Sequence, residues 1–180
     1  MIAETTKNNW RALGIHFALS IIGFISFVSL SLFTYSIFPD IQGVPYWAEL
    51  PLFLTPIIGG SFIYIYCGYR FLKPNEKDPL LSVWLLTTVT ILAGAIAMIG
   101  FLRTGIMDAS SAHVLVFANT LDFVILSLFT MESEFNTFNI LLLSLILLVS
   151  LLPSGLLYLG LRLRIHRETK VAAMAESSEE

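Results

Sequence analysis

Residues 112–131 read AHVLVFANTLDFVILSLFTM. A helix of roughly 20 apolar residues crosses a bilayer, and this stretch has the length. It also carries His113, Asn119 and Asp122. Whether it crosses decides between four spans and five, and the answer comes from the basic residues outside it.

With four spans and a cytoplasmic N-terminus, Lys7, Arg11, Arg70, Lys73, Lys77, Arg162, Arg164, Arg167 and Lys170 all fall inside. Only Arg103 falls outside, so nine of the ten basic residues share one face. With five spans the basic tail moves outside and the division becomes five and five. Lysine and arginine gather on the cytoplasmic side of membrane proteins, which selects four spans. Residues 112–131 then lie within a long outward connection, as an amphipathic helix on the outer face or a re-entrant helix packed on the bundle. Ser110 or Ser111 is placed to cap its start, and Asn119, Asp122 and Ser127 share one broad face at helical spacing.

The four spans are 13–38, 51–72, 80–102 and 138–161, giving an all-α integral membrane protein. Residues 1–161 form a single membrane domain, and 162–180 a cytoplasmic tail that frays at its end. Composition agrees, with 56% hydrophobic and 13% charged residues in a chain of 180 and a mean hydropathy of +0.81. Soluble domains are about a quarter charged. The first block is too long for a signal-peptide core of about 7–15 residues and reads as an uncleaved anchor. Trp10, Tyr66, Tyr69, Trp84 and Tyr158 fall near the inner interface, and Tyr35, Tyr46 and Trp47 near the outer, where half-wet rings are favoured. Tyr64 lies deeper. The segment 73–79, KPNEKDP, is a polar turn bounded by prolines.

Net charge of −3 and the absence of binding signatures point away from nucleic acid. Cys67 is alone, so no intrachain disulfide or cysteine-based metal motif forms. No cofactor is expected: His16, His113 and His166 are too widely dispersed to share one haem iron. Phosphate-binding loops and the common hydrolase motifs are absent.

Ionisable residues at membrane depth are expensive and therefore candidates for function. Asp122, with Asn119 one turn earlier, is either an outward cation, proton or catalytic site or the wet face of a surface-lying helix. Asp108 and His113 lie on the same outward connection. Asp108, Glu132, Glu134, Asp40 and Glu49 make that side acidic, either to attract a basic partner or as the residue of excluding basic side chains. His16, Ser20 and Thr34 form a polar stripe on the first span, a lining for a solute path or a helix–helix contact. Small residues mark close approaches, Ala93, Gly94, Ala97 and Gly100 in the third span and Gly59, Gly60, Ser61 and Gly68 in the second. Pro56 and Pro153 should bend their helices.

In layout the chain resembles the signal peptidase II type of aspartyl protease, which has four spans, inside termini and an outward pair of aspartates. Asp122-Phe123 and the following FNTFN at 135–139 echo that family's motifs. The resemblance places the second catalytic aspartate on Asn139, which cannot share a proton as paired carboxylates do. The family's Asp-Arg pair after the third span is replaced by Phe101-Leu102, and no kinship is assigned.

The preferred reading is a small polytopic protein of the cell membrane acting through protein–protein contacts, as an accessory subunit, assembly factor or immunity-type protein. Its partners are the lipid bilayer and another membrane protein or a second copy. The alternatives are a small oligomeric transporter or channel using His16, Ser20, Thr34 and Asp122, and an intramembrane enzyme with an outward-facing Asp108 or Asp122.

Overall fold

The computed structural model describes residues 2–37, 46–74, 79–104 and 148–177, and among these every regular element is helical. The α-helices are α1 (Ile2–Ile37), α2 (Tyr46–Phe71), α3 (Trp84–Thr104) and α4 (Leu152–Ser177), with a 3₁₀ turn at Leu80–Ser82 leading into α3.

Apolar composition and closed polar groups explain why these segments can be helices away from water. Serines and threonines usually compete with a helix by offering other bonds. Here they fold back on it: Ser31 Oγ donates to Phe27 O at 2.8 Å, Ser61 Oγ to Ile57 O at 2.7 Å, and Thr90 Oγ1 to Leu86 O at 3.1 Å. No hydroxyl in these bonds needs water. Two helices, over Glu4–Thr34 and Leu148–Ser177, are long and apolar enough to cross a membrane. Only 11% of the apolar window in the first is buried, which is the reverse of a soluble core helix. Leu32 and Phe62 are 68% and 70% exposed.

The helices alternate in direction. The start of α1, the end of α2, the entry to α3 and the middle of α4 meet at one end of the bundle, joined by hydrogen bonds described below. The core lies at that same end. It comprises Ala12 from α1, Tyr64 and Cys67 from α2 with Leu72 just beyond, Val83 and Leu86 at the entry to α3, and Leu157 and Leu161 from α4.

The most extensive contact is between α2 and α4, and glycine makes it possible. A Cβ built on Gly68 would collide with the Leu157 backbone, and one built on Gly160 would lie 2.7 Å from Tyr69 N. Two helices approach this closely only where the side chain is a hydrogen atom. Gly59 and Gly155, by contrast, have open space beside them. Ala93 and Gly94 are buried on α3.

Several boundaries differ from the sequence expectation. Helix α1 begins at Ile2, well before the expected 13, because the polar turns before the apolar block continue the helix with Glu4 favourably in its first turn. Helix α2 begins at Tyr46 rather than 51. Ahead of Pro153, Leu151 N–H bonds to Leu148 O at 3.2 Å in a tightened turn, where the proline leaves the Val149 carbonyl without its usual donor. Residues 162–177 are a largely exposed helix continuous with α4. Good helix formers and the Arg164–Glu168 pair at 2.8 Å, one turn apart, favour that. The expected outer-face helix at 112–131, residues 138–147 of the last span and the terminal residues 178–180 lie outside the described residues.

Candidate functional site

Three polar arrangements occupy the end of the bundle where the helices converge. The first begins with Asn8 and Asn9, successive residues of α1 that are 0% and 4% exposed. The carboxamide of Asn8 clasps the backbone of Lys73: Nδ2 donates to the Lys73 carbonyl at 2.9 Å, and Oδ1 accepts from the Lys73 N–H at 3.0 Å. Nδ2 also approaches Ser82 Oγ at 3.3 Å. Asn9 does the same for the entry to α3. Its Nδ2 donates to Leu81 O at 2.7 Å and to Thr5 O at 3.1 Å, and its Oδ1 accepts from Leu85 N–H at 3.0 Å. The first N–H groups of a helix have no partner within it. Asn9 therefore caps α3 from another helix, where no side-chain cap is supplied by Pro79 at the start of the preceding 3₁₀ turn.

Charge gathers around this clasp. Glu4 Oε1, shielded from solvent, lies 3.3 Å from Lys73 Nζ and 3.6 Å from Arg11 Nη1. The Lys73 ammonium, helped by the charges of Lys7 and Arg11, holds the Glu4 carboxyl below its ordinary range.

The second arrangement is His16 with Tyr64. His16 is fully buried, and its Nδ1 lies 2.8 Å from Tyr64 Oη. With the ring proton on Nε2, the tyrosine hydroxyl donates to Nδ1; the other tautomer reverses the bond. Ser20, one turn along, and Thr34 are also buried. From His16 to Thr34 is about 27 Å at 1.5 Å per residue. The stripe expected from the sequence is therefore spread along the helix, too far for one small ligand to touch both ends.

The third arrangement joins α2 to α4. The last carbonyls of a helix lack internal donors, and its C-terminus favours positive charge. Arg164 Nη1 donates to Leu72 O at 3.0 Å and lies 3.5 Å from Arg70 O, while its Nε donates to Glu168 Oε1 at 2.8 Å. Arg167 Nη1 donates to Tyr69 Oη at 2.6 Å. Between these helices runs an open groove of about 540 Å³, lined by Tyr69, Arg70, Arg164, Arg167 and Glu168 with the small apolar side chains of Val171 and Ala172.

The sequence-derived candidates Asp122, Asn119, Asp108 and His113 lie outside the described residues. Among the described residues, no three His, Cys, Asp or Glu side chains stand together as a metal site. Asn8, Asn9 and the arginine groove carried no sequence signal of their own. Compared with known proteins, the chain matches no family model, no curated protein and no solved structure.

Proposed function

We propose that the chain is a four-span integral protein of the cell membrane with both termini in the cytoplasm. It acts through contacts with another membrane protein or with a second copy of itself. The observation that carries this reading is the use made of the described polar side chains. Asn8, Asn9 and Arg164 bind the ends of neighbouring helices, and His16 pairs with Tyr64. Polar groups used in this way hold helices in register. The surface left over on α1 and α2 is apolar, with Ile21, Ile25, Leu32 and Phe33 on the first and Ile58 and Phe62 on the second all exposed. Patches of this extent face lipid or another protein.

The alternation of the helices supports an even number of crossings, as does the gathering of basic residues on their common end. Trp10, Tyr66 and Trp84 are exposed near that end, which suits an interfacial belt. The outer-face connection, with Asp122, His113, Asn119 and Asp108, is the part available to a partner on the far side.

Two measurements test the proposal. In a Cys67→Ala background, a membrane-impermeant maleimide applied to intact cells should label Ala109→Cys and spare Ala172→Cys. Labelling at 172 from outside would overturn the orientation. Mild-detergent purification of the full chain should yield a stoichiometric complex, with a partner or as a homo-oligomer. A monomer that carries solute in proteoliposomes, with flux abolished by Asp122→Asn, would replace the contact reading with transport.

A further inference from the structure

The groove between α2 and α4 holds more positive charge than the fold uses. Arg164 is engaged with the end of α2 and with Glu168. Arg167 gives one N–H to Tyr69 Oη. Arg70 is exposed and makes no side-chain hydrogen bond or ion pair with any described residue. Three guanidinium groups thus line one open space against a single carboxylate, Glu168, which Arg164 already holds.

Like charges gathered in a groove repel unless an anion lies between them. Guanidinium is planar, with paired N–H donors that fit phosphate oxygens two at a time. Arg167 retains N–H donors beyond the one given to Tyr69, and Arg70 retains all of its own. Location narrows the anion further. Arg70 is one residue from the end of α2 at Phe71, and Arg164 follows the buried Leu161 within one turn on α4. Both mark where the apolar part of a helix gives way to polar sequence, the depth of lipid headgroups. Basic pockets between membrane helices on the cytoplasmic side are suited to anionic headgroups.

The geometry points to a phospholipid site: this groove binds the phosphate of an anionic phospholipid of the inner leaflet, with Arg70 and Arg167 as its donors. The site rests on the membrane orientation proposed above. Arg164 has a structural role at the end of α2, so its loss would confound a test, whereas Arg70 can be changed without removing a side-chain hydrogen bond or ion pair to any described residue.

The test is native mass spectrometry of the full chain in detergent, titrated separately with phosphatidylglycerol and phosphatidylcholine. Wild type should retain phosphatidylglycerol in preference to phosphatidylcholine. Arg70→Gln and Arg167→Gln should each weaken that retention about fivefold, and the double variant about 25-fold, for one lost charge contact apiece; Tyr69→Phe, which removes the Arg167–Tyr69 bond and keeps the charge, should leave retention unchanged. Arg70→Lys should keep most of it. Arg162→Gln, exposed on α4 outside the groove, should change nothing. Thermal midpoints matching wild type would show that the variants fold. Undiminished retention in the double variant, or equal loss in Arg162→Gln, would overturn the site. Equal retention of phosphatidylglycerol and phosphatidylcholine, with inorganic phosphate bound at millimolar concentration, would overturn the lipid occupant in favour of a soluble phosphate. Release of the protein from membranes by alkaline carbonate would instead strike the membrane reading, so the two failures are separable.

Discussion

Replacing Asn8 with alanine removes the group that fastens α1 to the end of α2. The carboxamide makes two well-formed bonds to Lys73, at 2.9 and 3.0 Å, and a longer one to Ser82 at 3.3 Å. A net hydrogen bond is worth about 1 kcal/mol, and stranding its buried partner costs about 1–3 kcal/mol. Lys73 is exposed, so water can rescue part of its backbone, whereas Ser82 is fully buried. The loss for Asn8→Ala should therefore be about 2–3 kcal/mol. Reversible unfolding in mixed micelles, followed by circular dichroism, measures it. Asn8→Asp keeps the acceptor for Lys73 N–H but sets an oxygen against the Lys73 carbonyl, and it should not restore stability. Combining Asn8→Ala with Ser82→Ala should reveal a coupling of about 0.5–1 kcal/mol between contacting residues. A loss below about 0.5 kcal/mol for Asn8→Ala, the scale of an ordinary surface change, would refute the clasp.

Other outcomes follow from the same structure. Gly68→Ala should destabilise by about 1–3 kcal/mol through overpacking against α4; Gly59→Ala, with open space beside it, should be neutral or stabilising, and unfolding midpoints of the pair compare them directly. Tyr64→Phe removes the hydroxyl at 2.8 Å from His16 and should cost about 1–2 kcal/mol, and a double-mutant cycle with His16→Ala should show a coupling of about 0.5–3 kcal/mol between the two. The Glu4 carboxyl is held below its ordinary range by Lys73, so its contribution is present above the unfolded carboxylate value. That contribution disappears as pH falls through the lowered folded value. Acid titration of stability should be shallower in Glu4→Gln, and identical curves would argue against the Glu4–Lys73 contact.

The helices were legible because apolar blocks of membrane length are hard to mistake, and the polar stretch from Lys73 to Pro79 separates α2 from α3 as its prolines imply. His16 stood out as part of a polar stripe on the first span and Tyr64 as an aromatic deeper than the interfaces, and they are bonded to one another. Asn8 and Asn9 were not legible. They precede the first apolar block and look like ordinary cytoplasmic polar residues, since most of their bonds are to backbone groups 65 to 76 residues away. Backbone partners leave no matching side chain to find in the sequence. Gly68 was recognisable as a small residue in a span, but Gly160 became meaningful only when α4 was laid across α2. Helicity beyond Leu161 was hidden for another reason: hydropathy marks the apolar segment, while a charged helix such as 162–177 leaves no trace in it.

The asparagine clasp also constrains the order of assembly. A ribosome makes Lys73 before Leu81 and Leu85, so Asn8 can fasten α1 to the end of α2 while the amide of Asn9 still lacks its partners on the way into α3. The second fastening waits until the start of α3 has been made. An interruption of synthesis between residues 73 and 81 should leave a half-latched pair of helices, and the few residues to 85 should close it.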